Sequence, residues 1–328
     1  MRFVDSSQEI ILLPYSAVVG QDDLKLALEL AYLEPKIEGV LISGHRGSGK
    51  STAVRAFANM MYGGLPVTLP INATEDRVVG GWRIKALMRA KAVREPGLLE
   101  EANGKILYID EVNLLDDHIV NLILDVASTG ILVIQREAQS EEKAISFTLV
   151  GTMNPEEGGL RPQLLDRFGL MVDVTTQTAP EARTQILSMV LEFDRSKRLL
   201  RSDQPAPFLS QHIAKDAERK EAIETAKRRL DTVLFSEEMV RTCVAIAGAF
   251  VPQGHRSDYV MALAARGYAA LLGDSEVCAH HVLRVAPLAL QHRIGGTTTE
   301  GSSGWSDDHT AKLRQVLALP MSSEGTAQ

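Results

Sequence analysis

The stretch Gly44-His45-Arg46-Gly47-Ser48-Gly49-Lys50-Ser51 follows directly on the apolar run Val40-Leu41-Ile42, and that pairing leaves few folds open to the chain. A buried strand must deliver the backbone into a glycine turn, and a helix must begin at Lys50 so that its free N–H groups and positive dipole end face anionic oxygens. Ala53-Val54-Arg55-Ala56-Phe57-Ala58 supplies that helix. Gly44, Gly47 and Gly49 let the backbone curl around phosphates, with Ser48 and Thr52 as further candidate contacts. Lys50 is placed to reach the β- and γ-phosphates, and the Ser51 hydroxyl is a candidate Mg2+ ligand. A bound nucleotide with Mg2+ is the expectation; the alternative is a glycine-rich turn that binds nothing.

From about residue 40 to 175, short apolar runs alternate with helix-like stretches, the pattern of a parallel sheet covered by helices on both faces. Expected strands are Val40 to Ser43, Val67 to Pro70, Ile106 to Ile109, Phe147 to Gly151 and Met171 to Val174. Residues 78 to 99 hold Gly80-Gly81, a helical stretch around Ile84 to Ala92 and Pro96-Gly97, and read as an inserted helix. Ile131 to Gln135, a charged turn and Ala144 onward read as a hairpin leading into the next strand. Pro180 opens a helix over Glu181 to Phe193, after which the charge-rich stretch 194 to 230 reads as a linker plus an exposed helix. Three apolar helices follow, Ser236 to Phe250, about Ser257 to Leu272 and Ser275 to Gln291. The expected divisions are an α/β nucleotide-binding domain over 1–192, a charged helical linker over 193–235, an all-α lid over 236–294 and a flexible tail over 295–328, with one loose helix after Ala311.

Composition narrows the partners. The 328 residues, 45% of them hydrophobic, suffice for about two packed domains. With 42 acidic against 35 basic residues the net charge is -7, so no global positive field favours nucleic acid. Cys243 and Cys278 lie far apart and make neither a CxxC pair nor a disulfide framework, which points to a reducing, cytoplasmic setting. Met1 to Asp5 is too acidic for a signal peptide, and no apolar run approaches the ~20 residues of a membrane span.

The chemistry gathers at strand ends. Ile106-Leu107-Tyr108-Ile109 ends in Asp110-Glu111, where Asp110 is placed to hold the Mg2+ shell and Glu111 to polarise an attacking water. The strand Phe147 to Gly151 ends in Thr152-Met153-Asn154, whose amide can both donate and accept and so can sense γ-phosphate cleavage; the competing reading is a turn former ahead of Pro155. Arg167 is the first choice for an arginine finger and Arg161 the second, against a pairing with a neighbouring acid such as Asp166. His118, His280 and His281 read as surface or capping histidines, with no second ligand at metal-site spacing.

These residues resemble the AAA+ ATPases and, within them, the ATPase (I) subunit of magnesium chelatase. The resemblance is carried by Tyr15-Ser16-Ala17-Val18-Val19-Gly20-Gln21, by Ala73 to Gly80, by Glu95-Pro96-Gly97-Leu98-Leu99, by Tyr108 to His118, and by Met153 to Gly158 running into Arg161 to Gly169. It reaches Gly254-His255-Arg256-Ser257-Asp258, similar to that family's sensor-2 segment, with Arg256 as the γ-phosphate contact; coverage is about residues 10 to 294. The resemblance implies a P-loop core with a five-stranded parallel sheet, a helix-2 insert at 78–99, a hairpin at 131–147 before sensor 1, and a helical lid. It further implies ATP with Mg2+, a homo-oligomeric ring, typically a hexamer, an AAA+ partner subunit with an integrin-like domain, and a large porphyrin-binding subunit that places Mg2+ in protoporphyrin IX. The chain departs from the pattern in the short link Met60 to Thr68, in Gly81-Trp82-Arg83, and in its ending from Gly295 to Gln328.

Two other classes compete. One is a MoxR-like chaperone that remodels an integrin-like partner without a tetrapyrrole. The other is a nucleic-acid motor, against which the hairpin Gln135 to Lys143 carries three acidic and two basic side chains.

Overall fold

The computed structural model describes residues 10–82, 94–136, 139–251, 254–294 and 304–317. Five short apolar strands, β1 (Val40–Ser43), β2 (Val67–Leu69), β3 (Ile106–Ile109), β4 (Thr148–Met153) and β5 (Leu170–Asp173), lie parallel in the order β2-β3-β4-β1-β5. The sheet is the five-stranded one expected. Strands β1, β3 and β4 are buried along their whole length, as near-continuous Ile, Leu and Val runs require when both faces are covered. The register sets Ser43 opposite Met153 and Ile109 opposite Gly151, so the chain leaves β1, β3 and β4 at neighbouring points on one edge.

Helices α1 (Asp22–Leu33) and α2 (Lys50–Tyr62) cover one face, where Tyr15 and Tyr32 pack against Phe57 with ring centroids 5.4 and 6.4 Å away, the second pair edge to face. Helix α3 (Asp117–Thr129) covers the other, opened by Asp116, which accepts from the His118 N–H, and closed by Gly130 at φ 69°. The insert is stalked by an antiparallel pairing of Gly80–Trp82 with Arg94–Pro96; the helical stretch expected around Ile84 to Ala92 lies outside the described residues. Ile131–Arg136 pairs with Gln139–Ala144 as the hairpin ahead of β4.

The C-terminal half is helical: α4 (Pro180–Arg201), α5 (Pro207–Arg229), α6 (Glu237–Phe250), α7 (Arg256–Leu272), α8 (Ala279–Leu290) and α9 (Asp307–Val316). Here the structure corrects the linker expected over 193–235. Helix α4 runs on past Phe193 to Arg201, and α5 turns Leu209, His212, Asp216, Ile223 and Ala226 inward at helical spacing. Several of its charges have partners elsewhere in the fold. Asp216 accepts from the Tyr15 and Ser16 N–H groups at 2.8 and 2.7 Å, Arg219 Nε donates to Glu29 at 2.9 Å, and the Lys227 ammonium stands 4.0 Å from the Tyr32 ring centroid. A count of charge does not distinguish such a helix from a solvated one. The tail is corrected in part: Leu313 of α9 is fully buried and Trp305 packs 5.4 Å from Phe250. Helix α8 begins at Ala279, later than Ser275, because Leu234 pairs its backbone with Ser275 and Val277 first. Among the described residues no helix is long and apolar enough to cross a membrane.

If α5 is core, Ile223→Ala lowers the unfolding free energy by about 2–5 kcal/mol in urea denaturation. A loss under ~1 kcal/mol would make α5 peripheral.

Candidate active site

The cradle begins where β1 ends. Gly44, Gly47 and Gly49 have φ of 153°, 77° and 85°, values that side chains resist. A Cβ on Gly44 would also overlap the Val174 carbonyl oxygen. Gly49 is the residue before α2, and no side chain caps that helix, so the N–H groups of its first turn face the loop unclaimed by any capping side chain. Lys50 Nζ donates to the Gly44 and His45 carbonyls and thus lies across the loop; burial lowers its pKa, opposed by Asp110, Glu111 and Glu157. Gln21 Nε2 donates to the Ser48 carbonyl at 2.7 Å, pinning the N-terminal segment to the loop, and Ser48 Oγ donates to the His45 carbonyl at 2.9 Å. Thr52 is exposed on the first turn of α2. A glycine curl, an uncapped helix start and a lysine fit a polyphosphate.

One hydroxyl ties the cradle to the second motif. Burial pushes the Tyr108 phenol up to about 12, so it stays protonated. Its oxygen donates to Asp110 at 2.9 Å and stands 2.8 Å from Ser51 Oγ. Thr152 Oγ1 donates to the same Asp110 oxygen at 2.8 Å and accepts the Glu111 N–H at 3.2 Å. Ser51 and Asp110 therefore meet around one point with hard oxygen donors only, the set that Mg2+ takes. Tyr108 and Thr152 were not among the expected site residues. The signal for Tyr108 was its place two residues before Asp110, on the same side of the chain. Glu111 holds a left-handed φ of 56°, a strained conformation for a residue with a side chain, and stands 3.7 Å from Arg46, which also pairs with Glu157. Asn154 is buried beside them, and its side-chain oxygen accepts from the Glu156 N–H at 3.3 Å, so it also caps the turn Pro155–Glu157.

The arginines lie elsewhere. Arg167 pairs with Asp125 at 2.6 Å and Arg161 with Asp117 at 2.5 Å, neither with Asp166. Arg256 pairs with Glu38 and donates to the Arg167 carbonyl at 2.6 Å. Glu38 precedes β1 and Arg167 precedes β5, so this group sits at the start of the strands, while the cradle sits at their ends, roughly 13 Å of strand away at ~3.3 Å per residue. Lys50, Ser51, Asp110, Glu111 and Asn154 come together in one chain; Arg167 and Arg256 come together apart from them. Among the histidines, Cys278, His280 and His281 present donor atoms within 4.8 Å of one another, contrary to expectation. His281 is nonetheless a buried cap: Nδ1 accepts the Cys278 N–H at 2.9 Å and Nε2 faces Asp274 at 3.0 Å. His118 is exposed against Glu75.

Residues 39–168 match the AAA domain of the dynein-related subfamily and residues 240–312 an AAA lid domain. The magnesium-chelatase 38 kDa subunit of Rhodobacter capsulatus is 40% identical over 314 residues, covering 86% of this chain and 87% of that one. The chain belongs to the magnesium-chelatase ATPase-subunit family. Magnesium-chelatase subunit ChlI of Synechocystis is 37% identical with 94% of each chain covered. An uncharacterised Mycobacterium tuberculosis protein is 41% identical over 85% of this chain, which spans only 44% of its length. Among solved structures, a Cytophaga hutchinsonii protein at 14% identity superposes with a TM-score of 0.63 over 93% of this chain and 91% of that one, a likeness of fold alone. A chain from the complex of BchI and BchD of magnesium chelatase is 38% identical, covering 88% of this chain and 98% of that one, with a TM-score of 0.47. As a family member with the AAA domain, the chain is an ATPase whose cofactors are ATP and Mg2+.

Because Tyr108 orients Asp110, Tyr108→Phe should raise the Mg2+ concentration for half-maximal ATPase by about 10–100-fold. An unchanged midpoint in a Mg2+ titration at fixed ATP would remove Tyr108 from the metal's surroundings.

Proposed function

We propose that the chain is the ATP-hydrolysing motor subunit of a magnesium-chelatase-type complex, powering Mg2+ insertion into protoporphyrin IX by a separate porphyrin-binding subunit. The observation that carries the reading is the Ser51–Tyr108–Asp110 link, which joins the phosphate cradle to the acidic strand end in a chain of this family. Gly44, Gly47, Ser48, Gly49, Lys50 and Thr52 hold the triphosphate through backbone N–H groups and the Lys50 ammonium. Ser51 and Asp110 would hold Mg2+, which when bound neutralises phosphate charge. Glu111 takes the proton of the attacking water, which Asn154 helps to orient. Arg167 and Arg256 supply positive charge to the transition state in the next subunit, since both lie at the strand starts, remote from their own cradle.

This division of the site implies a ring of like subunits, a hexamer by family resemblance, alongside an AAA+ partner with an integrin-like domain and the large porphyrin-binding subunit. The MoxR-like alternative has no observation in its favour beyond the shared fold.

Glu111→Gln should retain ATP yet lose hydrolysis by about 100-fold or more, because binding rests on the loop while chemistry rests on a positioned water. Normal turnover in that variant would displace Glu111 as the base. With the partner subunits, Mg2+, ATP and protoporphyrin IX, the porphyrin spectrum should shift to the metallated form in a manner that Lys50→Ala abolishes. ATP hydrolysis without metal insertion in the complete mixture would sink the chelatase reading.

A further inference from the structure

The four-residue loop Asp166-Arg167-Phe168-Gly169 is gripped by the far end of the helical region. Arg293, just beyond α8, has a side chain only 2% exposed, and all five of its N–H groups have acceptors. Nε donates to Asp166 Oδ1 at 2.9 Å, and Nη2 donates to the Asp166 and Phe168 carbonyls at 2.9 and 2.7 Å. Nη1 donates to the Gly169 carbonyl at 3.1 Å and to the Ala289 carbonyl of α8. His292, which burial keeps neutral, donates from Nε2 to the Phe168 carbonyl at 2.9 Å, and the Arg167 carbonyl is taken by Arg256. Every carbonyl from 166 to 169 is therefore held by a residue of the helical region. On the other side, Phe168 is fully buried and a Cβ on Gly169 would overlap the Ile37 carbonyl oxygen, so the loop has no room to slide. Within this fixed backbone the Arg167 side chain emerges with Asp125 as its partner, a partly exposed ion pair of the weak and readily exchanged sort.

We infer that Arg293 is a positioning residue for the trans-acting arginine: its guanidinium fork fixes the loop from which Arg167 reaches the neighbouring subunit's nucleotide. A planar fork with five donors suits a knot of converging carbonyls, and a lysine ammonium, with three donors on one atom, does not span it. The inference rests on the reading of Arg167 as a finger acting between subunits. It adds that a residue of the helical region, touching no nucleotide of its own subunit, governs hydrolysis next door.

Mixing experiments with the full-length chain separate these statements. Arg293→Gln should lower specific ATPase at least tenfold while binding a fluorescent ATP analogue within about twofold of wild type. Mixed one to one with Glu111→Gln, whose finger is intact, it should recover to about a quarter of the wild-type rate, since half of the sites are competent and half of those face an intact neighbour. Mixed with Arg167→Ala it should recover nothing, because both variants fail in the same half of the interface. The control pair, Arg167→Ala with Glu111→Gln, must recover; failure there overturns the intersubunit finger, and the inference with it. If the control recovers but Arg293→Gln is rescued by Arg167→Ala and not by Glu111→Gln, then Arg293 serves its own subunit's site and the inference is wrong. Should Arg293→Gln fail to fold by its melting curve, Asp166→Ala, which removes one acceptor of the fork from an exposed position, should give the same rescue pattern with a smaller loss; the opposite pattern, or full activity unmixed, would overturn the inference.

Discussion

The register of β1 against β4 and β4 against β3 is the constraint on which the rest of the structure depends. With Ser43 opposite Met153 and Ile109 opposite Gly151, three chain segments leave the sheet side by side. The glycine loop, Asp110-Glu111 and Asn154 are thereby neighbours before any side chain makes a contact. Slipping one strand by a residue would turn its side chains to the opposite face and lose this convergence together with the core. Strands buried on both faces resist such slips, so the same apolar packing that holds the fold together also holds the phosphate cradle against the carboxylates.

A second layer of order is polar. Tyr15, Glu29, Asp216 and Arg219 bind α1 and the segment ahead of it to α5, and Gln21 carries that segment on to the loop at Ser48. Burying such groups is costly unless each is satisfied, and here the partners are supplied by residues about two hundred positions apart. The helical half is thus tied to the cradle through hydrogen bonds at one end and, through Arg256, His292 and Arg293, to the loop before β5 at the other.

Most of the fold was legible because its signals are local. Five apolar runs, a glycine loop and the helix-capping Ser236 each declare themselves within a few residues, and the strand ends bearing Asp110, Glu111 and Asn154 follow. What was not legible depends on distance in the chain. The inward face of α5 includes His212 and Asp216, so its buried stripe does not look apolar until Tyr15 and Ser16 are seen to need Asp216. Arg256 was recognisable as a sensor segment, yet its companionship with Arg167 arises only when α7 is folded onto the loop. Arg293 announces nothing in sequence, since most of its acceptors are main-chain carbonyls that any residues would provide.

The opposed placement of cradle and arginines restricts the symmetry open to an assembly of this chain. If Arg167 and Arg256 serve a neighbour's nucleotide, a two-fold pair could bring them to the phosphate loops only were cradle and arginines to share one self-complementary patch. Patches on opposite faces are matched instead by a head-to-tail contact, which either closes after a whole number of copies or continues as a filament. In a closed cycle of that kind every copy would be both donor and recipient, so damage to one protomer would be felt by its downstream neighbour as well as by itself.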